Sequence, residues 1–217
     1  MSVSAPTSPR IRRRIENLSD LVFGLALSIG SIVLVSRLPQ TSTELISGIV
    51  LFGLSFLIIV WIWSGYTSVM VVLPFETGGV YLLNVALLFC VAIEPYLFYV
   101  LQQSPFSLLN LASSVLALDI GGMMFVLAGL IRLLLAEEGK SAVHELTPNR
   151  LNRLRWVMIS EAATGLIFVA TSIPFFWIAV PVGSFLRFDV WYAALGTFFG
   201  ATTLLGRRDR EHLRHQA

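Results

Sequence analysis

Charge is scarce in this 217-residue chain: Asp, Glu, Lys and Arg make up 13% of it, about half the share usual in soluble globular proteins. Set against 56% apolar residues and a mean hydropathy of +0.80, that deficit excludes a soluble domain. Cysteine is nearly missing. Cys90 stands alone in an apolar run, so no internal disulfide can form and no metal cluster is expected. His144, His212 and His215 all lie outside the apolar runs, and no His-Glu-x-x-His, Gly-x-Ser-x-Gly or phosphate-binding glycine loop appears. No connection is long enough for a soluble catalytic domain. Neither an enzyme nor a bound cofactor is expected, and collagen-like, coiled-coil and low-complexity segments are missing too.

What the chain has is long apolar runs. Six are expected to be transmembrane helices: Leu18–Ser36, Leu45–Leu73, Val80–Leu101 (interrupted by Pro95), Leu108–Leu135, Trp156–Val180 and Phe185–Leu205. They are continuous rather than alternating, which favours helices over barrel strands. The first run is preceded by arginines, as in a signal peptide. It is long for one, no small-x-small cleavage site follows, and Ser36-Arg37-Leu38-Pro39 reads as a helix end, so it is taken as a retained span. The stretch Glu137–Arg155 is the one sizeable loop, with Pro148-Asn149 as its turn signal.

Basic residues set the orientation. The N-terminal tail carries Arg10, Arg12, Arg13 and Arg14. The region between the fourth and fifth spans carries Arg132, Lys140, Arg150, Arg153 and Arg155, and the C-terminal tail carries Arg207, Arg208, Arg210 and Arg214. With six spans all thirteen share one side, leaving Arg37 and Arg187 on the other. By the positive-inside rule both termini are cytoplasmic. The net charge of +2 then reflects topology rather than a nucleic-acid patch. The expected organisation is a disordered basic tail over 1–13, a six-helix membrane domain over 14–206, and a basic cytoplasmic tail over 207–217.

Ionisable residues inside a membrane are expensive and are functional candidates for that reason. Four qualify: Asp20 at the cytoplasmic mouth of the first span, Glu94 deep in the third, Asp119 in the fourth and Glu161 near the start of the fifth. No intramembrane Lys or Arg is at hand for the last three. They are either acids hydrogen-bonded between helices or proton-titrating sites, the latter being what a proton-coupled secondary transporter would use. Pro95, next to Glu94, also leaves a backbone carbonyl unpaired.

Asp20 belongs to a knot, Arg14-Ile15-Glu16-Asn17-Leu18-Ser19-Asp20, at the head of an almost purely apolar helix. Arg14 and Asp20 are too far round a helix for a direct pair, so any contact needs a second helix or another subunit. Trp61, Trp63 and Tyr66 of the second span are offered at similar depth; a simple helix cap is the other reading. Beyond Asp20, the residues Leu21, Leu25, Ser28 and Ile32 follow a spacing of four, three and four and line one stripe. Gly24, Ala26, Gly30 and Ser31 permit close helix approach. The stripe suits ordinary packing or a narrow pore with a hydrophobic gate, and spacing does not choose between them. Gly65-Tyr66-Thr67 is no potassium filter, because it lies within a span.

The knot Arg14-x-x-x-Leu18-Ser19-Asp20, followed by Val22-Phe23-Gly24-Leu25-Ala26-Leu27-Ser28, resembles the Arg-x-x-x-Phe-Ser-Asp signature of the transmembrane protein 175 potassium-channel family. The resemblance extends to Ser55-Phe56-Leu57-Ile58-Ile59 and Trp63 in the second span, and to Leu83-Asn84 and Pro95 in the third. It implies an all-α integral membrane protein with six transmembrane helices per subunit. Four subunits would surround a central pore lined by the first helix and permeable to potassium ions. A bulky aliphatic constriction would fall at Leu25 and a selectivity hydroxyl at Ser28, within the stripe Leu21, Leu25, Ser28 and Ile32. Arg14, Leu18, Ser19, Asp20 and Trp63 would form the motif network bracing the pore helices. The single six-helix repeat implies a homotetramer in a prokaryotic plasma membrane. Leu18 stands where the motif has Phe, Ser28 where Thr is usual, Tyr66 where His is frequent, and Glu94 where an apolar residue precedes the proline.

Overall fold

The computed structural model describes residues 9–36, 38–70, 73, 78–136, 148–178 and 186–197. Five long helices account for most of them: α1 (Pro9–Val35), α2 (Ser42–Met70), α3 (Gly78–Gln103), α4 (Phe106–Ala136) and α5 (Pro148–Thr171). A 3-10 turn follows at Pro174–Phe176, and a sixth helix, α6, covers 186–197. Among the described residues there is no strand. All five long helices are long and apolar enough to cross a membrane, so this is a multi-pass membrane protein.

Local chemistry sets the helix limits. Proline at the first helical position costs no hydrogen bond, and α1 begins at Pro9 and α5 at Pro148 in this way. Helix α2 opens with a cap related to the capping box, in which Glu44 reaches one residue further back than the N-cap Thr41. Thr41 Oγ1 accepts from the Glu44 amide at 3.1 Å, and Glu44 Oε2 accepts from the Gln40 amide at 2.9 Å. Ser104 and Pro105 alone separate α3 from α4, a connection short enough to fold the two back on each other.

Several expected boundaries are corrected. The helical part of the N-terminal region reaches back to Pro9, so a disordered tail over 1–13 does not hold from that residue on. The loop expected over Glu137–Arg155 is shorter, because Pro148-Asn149 starts a helix rather than a turn. The fifth span ends at Thr171, not Val180, since Pro174 pushes Ile173 into an extended conformation (φ −64°, ψ 139°). Pro95 does not interrupt α3, which continues through it. The expected C-terminal tail, and the end of the sixth span beyond 197, lie outside the described residues.

The core centres on α4, whose Leu116, Ala117, Ile120, Met123, Met124 and Leu127 are fully buried. Its closest neighbour is α5. A Cβ on Gly121 would stand 2.9 Å from the Gly165 carbonyl oxygen, so the two backbones meet where neither helix has a side chain. Gly65 of α2 has the same use, as its Cβ would lie 2.7 Å from Leu127. Helix α1 packs on α2 and α3 through one face only.

Candidate functional site

The two faces of α1 differ sharply. Ser19, Phe23 and Ala26 are buried, and the Phe23 ring lies against Tyr66 with centroids 5.8 Å apart. The opposite face carries Leu21, Leu25 and Ile32, which are 66%, 55% and 64% exposed. Ser28, Gly24, Ser31 and, at the N-terminal end of the helix, Arg14, Asn17, Leu18 and Asp20 are exposed too. All four residues of the expected stripe thus lie on the face of α1 turned away from the rest of the chain.

Two sets of hydrogen bonds hold the inner face. Tyr66 of α2 donates to Asn84 Oδ1 of α3 at 2.7 Å and lies 2.7 Å from the Ser19 hydroxyl. Ser19 is also within 2.9 Å of the Ile15 carbonyl, so its one proton is shared between that oxygen and the tyrosine. A buried chain Ser19–Tyr66–Asn84 therefore ties three helices together. Beside it, the Trp63 indole donates to Asp20 Oδ1 at 3.0 Å. Ser19, Asp20 and Trp63 of the expected network are brought together. Asp20 is engaged by Trp63 rather than by Arg14, which stands exposed on the outer face.

On the stripe, the Ser28 hydroxyl donates to the Gly24 carbonyl at 2.8 Å, and Ser31 donates to Leu27 at 3.0 Å. Each proton is turned back onto the helix, leaving the hydroxyl oxygen's lone pairs for whatever lies outside.

The three deeper carboxyls sit elsewhere. Glu94 is wholly buried between α3 and α2, where Ser55 donates to its Oε1 at 2.7 Å. Glu161 of α5 is also buried and accepts from the Trp61 indole at 3.1 Å. Asp119 of α4 is half-buried, and its Oδ2 is buried without a hydrogen-bond partner. None of the three is on the α1 stripe. Among the described residues, no group of three His, Cys, Asp or Glu side chains is placed to hold a metal ion.

Sequence reasoning missed Arg187, taking it only as a charge on the outer side. It is fully buried at the head of α6. Its Nε donates to the Thr171 carbonyl (2.7 Å), and NH1 donates to the Asn110 carbonyl (2.9 Å) and Ser113 Oγ (2.5 Å). NH2 reaches the carbonyls of Ser172 and Ile173 at 3.4 Å, and the guanidinium lies 5.3 Å from the Trp177 ring centre. Every N–H is used, with no carboxylate among the described partners. The available signal was an isolated arginine at the outer end of an apolar run.

Residues 14–95, covering most of α1–α3, match the family model described as endosomal/lysosomal potassium channel TMEM175. That family is one of ion channels, not enzymes. No curated protein matches the chain. A solved structure, a variant of the potassium channel MtTMEM175 in complex with a Nanobody-MBP fusion protein, shares the fold. Its TM-score is 0.52 at 18% sequence identity, covering 91% of this chain and 93% of that one.

Proposed function

We propose that this chain, whose residues 14–95 match the model of the potassium channel TMEM175, is the subunit of a passive, potassium-permeable channel. Four copies enclose a central pore, each contributing the outer stripe of α1. The prokaryotic plasma membrane is its site, with both termini in the cytoplasm. Leu25 forms the hydrophobic constriction, Leu21 and Ile32 line the pore on either side of it, and Ser28 supplies the polar ring.

One observation carries the reading. Helix α1 is anchored to its own subunit by Ser19, Asp20, Phe23 and Ala26, while the opposite stripe is bare along its length yet includes hydroxyls at Ser28 and Ser31. A face of Leu and Ile alone would suit lipid. Serine oxygens with free lone pairs, and Arg14, Asn17 and Asp20 at the mouth, suit a water-filled axis better. The bulky aliphatics one turn from Ser28 suit a gate that works by dewetting.

The test is flux from liposomes containing the purified chain and loaded with potassium salt. Potassium efflux is expected under an imposed voltage with no proton gradient. Silence across voltage and pH overturns the channel reading. Flux that appears only with a proton gradient and saturates with substrate would instead favour a proton-coupled transporter built on Glu94, Asp119 and Glu161.

A further inference from the structure

Glu94 and Asp119 take no part in the pore, and each has an oxygen for which the structure supplies no partner. Glu94 has no exposed surface; Ser55 satisfies Oε1 and nothing reaches Oε2. Asp119 Oδ2 is likewise buried and unpartnered. Cys90 and Glu94 are four residues apart on α3, so they share a face, and α4, which carries Asp119, packs along α3. Ser55, Glu94, Cys90 and Asp119 thus belong to three mutually packed helices, α2, α3 and α4. Glu94 lies ten residues beyond Asn84, roughly 15 Å along the helix from the network that anchors α1. Pro95 adds to the demand for donors, since it has no N–H to give the Val91 carbonyl.

We propose that Glu94 and Asp119 form a proton-binding pair inside the subunit, separate from the pore, and that its protons allow α3 to pack against α2 and α4. Among the described residues the surroundings offer no other neutralising group, and the buried Arg187 of α6 is engaged by Thr171, Asn110 and Ser113. From α2 comes the Ser55 hydroxyl, from α3 itself the Cys90 thiol, and from α4 only Asp119. Arg132 is thirteen residues further along α4, about 20 Å away along its axis. Arg14, Glu16 and Asp20 of α1 belong to the end of the bundle near Asn84, and Glu161 of α5 is turned to Trp61. An ionised carboxylate at this depth costs several kcal/mol unless paired, and two near each other also repel. A bound proton removes the charge and gives an otherwise unsatisfied oxygen an O–H to donate. A metal cation is a poorer occupant, because two carboxyls, one hydroxyl and a thiol fall short of the oxygen shell it needs. Ion conduction is not required for any of this, so the failure of the channel reading would leave it standing.

Linkage gives the sign. If the fold holds these protons and unfolding at neutral pH releases them, stability falls as pH rises. Two measurements on the purified full chain in detergent test the pair. The infrared carbonyl stretch of protonated carboxyl groups is expected at neutral pH, weakened in Glu94→Gln and in Asp119→Asn. The thermal midpoint, followed by tryptophan fluorescence, is expected to drop by several degrees on going to alkaline pH, with a shallower fall in the double variant. A missing infrared band in the wild type overturns the proposal. So does a band and a pH slope that both substitutions leave unchanged. If the variants do not fold, the wild type decides: the band must fade on alkaline titration together with the midpoint, and a band that persists while the midpoint falls overturns the pair.

Discussion

Leu25 and Ser28 lie one helical turn apart on the bare face of α1, and their side chains ask opposite things of a permeating ion. The isobutyl group repels water, while the hydroxyl offers oxygen. If Leu25 is the narrowest point, truncation to alanine enlarges the opening and lowers the dewetting barrier. Leu25→Ala is therefore expected to raise potassium flux from liposomes severalfold, or to admit sodium alongside potassium. An active channel with unchanged flux and ion preference after this substitution removes Leu25 from the gate. Folding should be little affected, because Leu25 is 55% exposed and contributes little to the core of the chain. The same substitution at buried Phe23 would instead remove packing against Tyr66 and cost about 3–5 kcal/mol by the usual scale for core aromatics.

At the scale of the element, the least obvious device is the end of α5. Pro174 cannot continue the helix, so carbonyls at its end need donors inside an apolar environment; Ile173 takes the Phe176 amide and Ser172 the Ser114 hydroxyl, which leaves Thr171. The planar guanidinium of Arg187 donates to Thr171, adds longer bonds to the other two and joins α4 through Asn110 and Ser113. Lysine keeps the charge but has three donors on a point-like group and cannot match the fork. Arg187→Lys is expected to lower the thermal midpoint markedly, since each buried carbonyl left dry costs about 1–3 kcal/mol. An unchanged midpoint would mean that the lock contributes nothing. This end of the fold was not legible in the sequence. Hydropathy reports transfer into lipid and placed the spans well, but it ran the fifth one on to Val180 because Phe175, Phe176 and Trp177 are apolar whether helical or not. Pro148 was read as a turn for a related reason: proline marks a helix start as readily as a loop. The stripe of α1 was legible because one face of one helix depends only on local periodicity. The partners Ser55 for Glu94 and Asn84 for Tyr66 depend on which helices meet, and no spacing within a single run encodes that.

The whole molecule is where the pore reading is most exposed to test, because a single chain leaves two kinds of apolar surface bare. Leu166 on α5 is 62% exposed and Leu21 on α1 is 66% exposed, so exposure alone does not separate a lipid face from an axis. Symmetry does. In a closed ring, residues facing the axis approach their own copies in other subunits, whereas residues facing lipid point away from theirs. Cysteine cross-linking turns that difference into a gel result. With the native thiol removed by Cys90→Ala, Leu21→Cys should form disulfide-linked dimers on mild oxidation in the membrane, and Leu166→Cys should not. Native mass spectrometry of the unoxidised protein should give a mass of four chains. Cross-linking through Leu166 with none through Leu21 would place α5, not α1, at the axis. The stripe of Leu21, Leu25, Ser28 and Ile32 would then be a lipid face, with its two serines satisfied by their own helix through Gly24 and Leu27.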